Sequence, residues 1–185
     1  LVTEITGEED LAQTLRRFTQ FRVSGVIVTS GKPPAAIVNE CVQHQIPVVG
    51  INRQPDIPLV DFICSDNQTG AALAAEQLLH AGCRRFGWLN NQDSTWAGLM
   101  RGEAFRAALQ NAGVDTGSDL HHLLATQEGY EGGLHAALAT DAALEGIFCA
   151  NAQPACGFLD RLRPPGKAAP DALPPFGFDH NPIPA

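Results

Sequence analysis

No apolar run in this 185-residue chain is long enough to cross a bilayer. The longest, such as Gly25 to Val28 and Ile46 to Ile51, fall far short of the roughly 20 residues a membrane helix needs. The five cysteines (Cys41, Cys64, Cys83, Cys149, Cys156) are odd in number and include no Cys-x-x-Cys pair. They are expected to be small buried hydrophobes in a reducing compartment. Basic charge is scarce: 12 Lys and Arg face 20 Asp and Glu, a formal charge of −8. Such a surface repels a phosphate backbone, so these residues are not expected to bind DNA themselves. No charged-then-apolar leader opens the chain, and the expected location is the cytoplasm. Leu1 is not an initiator methionine, which leaves room for an upstream segment.

Catalytic signatures are missing as well. There is no Gly-x-Ser-x-Gly elbow, no His-Glu-x-x-His helix and no metal-spaced Cys/His cluster, so neither hydrolase nor zinc chemistry has an anchor. Gly25 to Lys32 imitates a phosphate loop, but five residues separate Gly25 from Gly31 and Pro33 stands where a magnesium-binding Ser or Thr belongs. Gly129-Tyr-Glu-Gly-Gly133 lacks the dinucleotide-binding spacing and is expected to start a helix. Adjacent His121 and His122 point to opposite faces of a strand, the wrong geometry for a shared metal. The expectation is no catalytic residue, no metal and no cofactor.

What is present is 44% hydrophobic and 17% charged residues, the balance of a folded soluble protein and not of a disordered chain. Short β-branched runs alternate with longer helical patterns, the mark of parallel βαβ units. The sequence predicts a helix over 8–20 with Leu11, Leu15 and Phe18 on one face, then a strand at 25–29. A helix begun by Pro33-Pro34 buries Ile37, Val38 and Cys41, and strands follow at 46–51 and 60–64. Further helices are predicted over 68–81 (closed by Gly82), 96–112 (closed by Gly113), 130–139, and one that breaks at Pro164-Pro165. The intervening strands are 85–90, 120–126, 146–150 and 173–178, and the chain stops without a helix after the last.

Parallel sheets bind ligands at the carboxyl ends of their strands, where loops converge and helix N-termini present amide groups. The residues there are Thr29-Ser30, Asn52-Arg53, Ser65-Asp66-Asn67, Asn90-Asn91, Thr126-Gln127, Asn151 and Asp179-His180. Such a set suits a neutral polyhydroxylated ligand, because carboxylates accept hydroxyl protons and Arg donates in a planar fork. The same residue types also serve turns and N-caps at each position taken singly. The set as a whole is what points to a sugar-like ligand.

Several stretches resemble the LacI/GalR family of transcription regulators in order and spacing. They are Val23-Ser-Gly-Val-Ile-Val28, Ile46-Pro-Val-Val-Gly-Ile-Asn-Arg53, and Asp66-Asn67 followed by Gly70-Ala71 and Leu78-Leu79-x-x-Gly82. Downstream, Arg101-x-x-Ala-Phe105-x-x-Ala-Leu109, Gly146-Ile-Phe-Cys-Ala-Asn151, and Pro170-Asp171 with Phe176-Gly-Phe-Asp179 continue the match across nearly the whole chain. The resemblance implies an α/β fold of two doubly wound parallel-sheet subdomains of the type I periplasmic binding protein kind, truncated at both ends. It places an incomplete N-terminal subdomain at 1–81 and a nearly complete C-terminal one at 82–185.

Carried over position by position, the resemblance assigns ligand contacts to Asp66, Arg101, Asn151 and Asp179, with Tyr130 where the family often stacks an aromatic on a sugar and Arg53 as a further candidate. Ala152 departs from the family's usual Asp, removing one polar contact. The function implied is ligand sensing for a repressor: a sugar or related metabolite closes the cleft between subdomains and shifts conformational populations. The partners implied are that effector, a second copy in a homodimer, and operator DNA through a helix-turn-helix domain not present in this chain. Two alternatives stay open, a periplasmic sugar-binding protein of a transporter and an enzyme on the same fold acting on a phosphorylated substrate.

Overall fold

A computed structural model of the chain describes residues 13–14, 17, 20–29, 35–52, 57–91, 95–140, 143–162 and 175–178. The chain divides into two compact units, Leu1–Ser65 and Asp66–Ala185. Each has its own sheet and its own core.

In the first unit, strands β1 (Val26–Val28), β2 (Val48–Ile51) and β3 (Asp61–Ile63) form a parallel sheet in the order β1-β2-β3. Helix α1 (Ala35–Gln43) buries Ile37, Val38 and Cys41, the three positions its spacing predicts, against Val48 and Val60. The helix ends without glycine. Gln45 takes a positive φ of 55°, and the Ile46 N–H reaches back to the Cys41 carbonyl at 2.8 Å, which satisfies a helix-end carbonyl. The predicted helix face Leu11, Leu15 and Phe18 lies outside the described residues.

The second unit holds α2 (Asn67–His80), β4 (Phe86–Asn91), α3 (Trp96–Asn111), β5 (Leu120–Ala125), α4 (Gly129–Ala139), β6 (Gly146–Cys149), α5 (Ala152–Leu162) and β7 (Pro175–Gly177). Its parallel sheet runs β5-β4-β6-β7. The chain moves outward from β4 to β5 and then jumps back across β4 to β6, so helices cover both faces.

Strand alternation sorts the core into two layers. Phe86, Trp88 and Phe148 face one side and pack with Leu78 of α2 and Phe105 and Leu109 of α3. Leu89, Ile147 and Cys149 face the other and pack with Ala136, Ala137, Ala155 and Phe158 of α4 and α5. The Phe105 and Phe148 rings lie 4.8 Å apart, and Trp88 sits 5.0 Å from Phe148. Both sheets are parallel and the fold is α/β, as the sequence rhythm implies.

The division between units differs from the expected one at Gly82. Ala71, Ala74, Ala75 and Leu78 of α2 are buried with the second unit's aromatics, so this helix belongs with the sheet that follows it. Gly82 (φ +84°) and Gly113 (φ +85°) do adopt the left-handed conformation that closes α2 and α3. The cysteines depart in part from expectation: Cys41, Cys83 and Cys149 are buried, but Cys64 is exposed and Cys156 half-exposed. No helix among the described residues is long and apolar enough to span a membrane.

Candidate functional site

In the second unit, buried polar side chains meet near the carboxyl ends of β4 and β6. Arg101 sits in the second turn of α3, a helix begun by the Thr95 hydroxyl accepting from the Gly98 N–H. Its side chain is 4% exposed. Burying a guanidinium is costly unless its donors are matched, and Nε and Nη1 both find acceptors. Nε donates to Asn67 Oδ1 at 2.8 Å, and Nη1 donates to the Ala150 carbonyl at 2.6 Å and to Asn151 Oδ1 at 3.4 Å. The Phe178 ring covers the flat face, with its centroid 3.6 Å from Arg101 Cζ, close enough for a cation–π contact.

Of the six residues predicted to bind ligand, the structure brings Arg101 and Asn151 into direct contact. Asp66 immediately precedes Asn67, but its own carboxylate accepts from the Thr69 backbone N–H at 3.0 Å and caps α2. That bond holds its pKa below the ordinary carboxylate value. The Tyr130 hydroxyl donates to Asp160 Oδ2 on α5 at 3.0 Å, and this bond raises the phenol's pKa. Tyr130 is therefore tied to a neighbouring helix. Arg53 and Asp179 lie outside the described residues.

Two participants, Asn67 and Phe178, are not among the contacts that the resemblance assigns. Asn67 is 4% exposed and holds Arg101, while the resemblance assigns the contact to Asp66 beside it. Both belong to the polar Ser65-Asp66-Asn67 group after β3, and nothing in that triplet separates the cap from the partner. Phe178 follows β7 within the closing Phe-Gly-Phe-Asp motif, where its strand-end position was the available signal. At the end of β4, the Asn91 backbone N–H donates to Asn90 Oδ1 at 2.9 Å. Asn91 Oδ1 is buried with no hydrogen-bond partner among the described residues, an acceptor suited to a hydroxyl donor. Strand-end Asn52, in the first unit, is used structurally: its Oδ1 accepts the Ser65 N–H at 2.8 Å.

The arrangement is a rigid planar cation with the Asn67 and Asn151 amides beside it. No group of three or more His, Cys, Asp or Glu among the described residues could hold a metal ion. The family model described as periplasmic binding proteins and sugar binding domain of the LacI family matches residues 1–168. The chain belongs to this family.

The ribose operon repressor of Halalkalibacterium halodurans is 31% identical to this LacI-type chain over 97% of its length and 52% of the repressor's. The regulator DegA of Bacillus subtilis is 28% identical over 87% of the chain and 49% of the relative. These relatives are transcriptional regulators and not enzymes, and the chain spans about half the length of the curated relatives it matches. Among solved structures, a LacI family transcriptional regulator from Enterococcus faecium with bound ribose superposes with a TM-score of 0.80 at 25% identity, covering 96% of this chain and 65% of that one.

Proposed function

We propose that this LacI-type chain is the effector-sensing part of a bacterial transcription repressor, and that its effector is a sugar or related polyhydroxylated metabolite. The observation that carries the proposal is the buried, prepaid fork of Arg101: Asn67, Ala150 and Asn151 hold it at the strand ends where doubly wound sheets bind ligands. A guanidinium held in this way keeps the Asn67 and Asn151 amides around it in place before a ligand arrives, with little ordering cost on binding. Asp179 and Arg53 remain candidate contacts on the family resemblance, Asp66 and Tyr130 weaker ones given their partners here.

The relatives named above are repressors or regulators, which favours a regulator over a transporter's binding protein. The complete protein is then a cytoplasmic homodimer, without catalytic activity, that reaches operator DNA through a helix-turn-helix domain outside this chain. Effector binding shifts its conformational populations and so its affinity for DNA.

The test is calorimetric titration with D-ribose first, because the E. faecium regulator was solved with ribose, followed by other pentoses and hexoses. Saturable binding by the wild-type chain, lost in Arg101→Ala while a cooperative thermal melt persists, is the expected result. No binding across the sugar panel, or unchanged affinity in the variant, would overturn the assignment.

A further inference from the structure

The Phe178 ring is wedged between Arg101 and α2. A Cβ built on Gly70 would lie 2.5 Å from Phe178 Cε2 and 2.9 Å from Cζ, well inside van der Waals contact. The ring that covers the guanidinium at 3.6 Å therefore rests against the bare Cα of a glycine in the first turn of α2. Helix interiors disfavour glycine relative to alanine, and its use here fits the close approach of the ring.

We propose that Gly70 and Phe178 are positioning residues for Arg101. Gly70 seats the ring, the ring fixes the plane of the guanidinium, and that plane sets the directions of its donors and of the Asn67 and Asn151 amides bonded to it. Asn67, Ala150 and Asn151 hold the guanidinium along its edge, and a ring packed on its flat face opposes rotation out of plane. Phe178 lies on that face. A methyl group at position 70 need not unfold the helix, because the ring has somewhere to go. A groove of about 220 Å³ adjoins it, lined by Leu73, Gln77, Phe176 and Phe178 itself, and a small turn of the ring into it relieves the overlap and uncovers Arg101.

One arm of the test needs no ligand. In the chain labelled with nitrogen-15 arginine, the Arg101 Nε–H resonance, assigned with Arg101→Lys, is expected to be shifted upfield by the ring. Gly70→Ala and Phe178→Leu should each move it toward the ordinary arginine position. An unmoved resonance in Gly70→Ala overturns the proposal. If Gly70→Ala fails to melt cooperatively, nitrogen-15 relaxation at Arg101 Nε in Phe178→Leu decides this arm: a lower order parameter than wild type supports positioning, and an unchanged one overturns it.

The second arm rests on the sugar-sensor reading and uses D-ribose. Gly70→Ala and Phe178→Leu should each weaken binding about tenfold, and the double variant should be no weaker than Phe178→Leu alone. A purely structural glycine would give additive losses or a lower melting temperature with unchanged affinity, and either result counts against positioning. If the wild-type chain does not bind D-ribose, the pentose reading fails, while the resonance still decides the positioning role.

Discussion

Asn67 Oδ1 accepts the Arg101 Nε–H at 2.8 Å, and both residues are 4% exposed. The bond joins the first residue of α2 to the second turn of α3, two helices on the same face of the sheet. A buried charge that loses a partner keeps its desolvation cost, so removal is felt more than the net worth of the bond. Asn67→Ala is expected to lower stability by about 1.5–3 kcal/mol, read by urea denaturation. Asn67→Asp supplies a charged acceptor in the same place and should recover most of the loss. Equal destabilisation by the two variants would show that packing, and not the hydrogen bond, matters at this position.

Glycines at the crossing of α4 and α5 set a different limit. A Cβ at Gly133 would overlap the Pro154 carbonyl, and one at Gly157 would overlap the Tyr130 carbonyl. Backbone atoms cannot turn aside as a phenyl ring can, so relief requires the helices to part. Gly133→Ala and Gly157→Ala should each destabilise by about 1–3 kcal/mol, despite alanine's better helix propensity. Denaturation midpoints that rise in either variant would contradict this close packing.

Glu145 ties the start of β4 to the start of β6. Its carboxylate accepts the Arg84 backbone N–H at 2.7 Å, contacts the Arg85 backbone N–H at 3.4 Å and pairs with the Arg85 guanidinium at 2.8 Å. The Arg84 backbone bond is the main cause that lowers its pKa, with the Arg85 bond and the nearby arginine charges adding to it against partial desolvation. A carboxyl with a depressed folded-state pKa stabilises above its unfolded value, and that contribution is lost as the pH falls through the folded value. The window therefore opens below about 4.3, the ordinary glutamate pKa. Glu145→Gln should melt lower than wild type at neutral pH, and the gap should narrow on acidification below that value. A gap that stays constant with pH would exclude the carboxylate's charge as the cause.

The strand and helix rhythm is legible in the sequence because local pattern and tertiary packing agree. Ile37, Val38 and Cys41 lie on one helical face and are buried, and Gly82 and Gly113 close α2 and α3 where the cap pattern puts them. The unit boundary was not legible, since a glycine cap marks where α2 ends and not which sheet Leu78 packs on. That depends on Phe86 and Phe148, the latter distant in sequence. The same limit applies within the site. Asp66 and Asn67 are adjacent polar residues, and only the direction of α2 makes one the cap and the other the partner of Arg101. The resemblance assigns Arg101 a ligand contact, while its burial with Nε and Nη1 held by protein acceptors is a property that residue type alone does not give.

The cysteines allow a probe of the second unit's packing that is independent of any ligand. Cys149 is fully buried in the layer formed with α4 and α5, and burial pushes its thiol pKa up. Cys41 and Cys83 are buried and raised in the same direction, chiefly by desolvation. The thiolate is the reactive form, so burial slows modification twice, by blocking access and by removing thiolate. With an aromatic disulfide reagent at pH 8, Cys64 should react first and half-exposed Cys156 more slowly. The remaining three should react only as the chain opens. Their modification rates should then rise with urea in step with unfolding, and Gly157→Ala should speed Cys149 more than it speeds Cys41, which belongs to the other unit's core. Equal acceleration at Cys41 and Cys149 would mean that the two cores do not open independently.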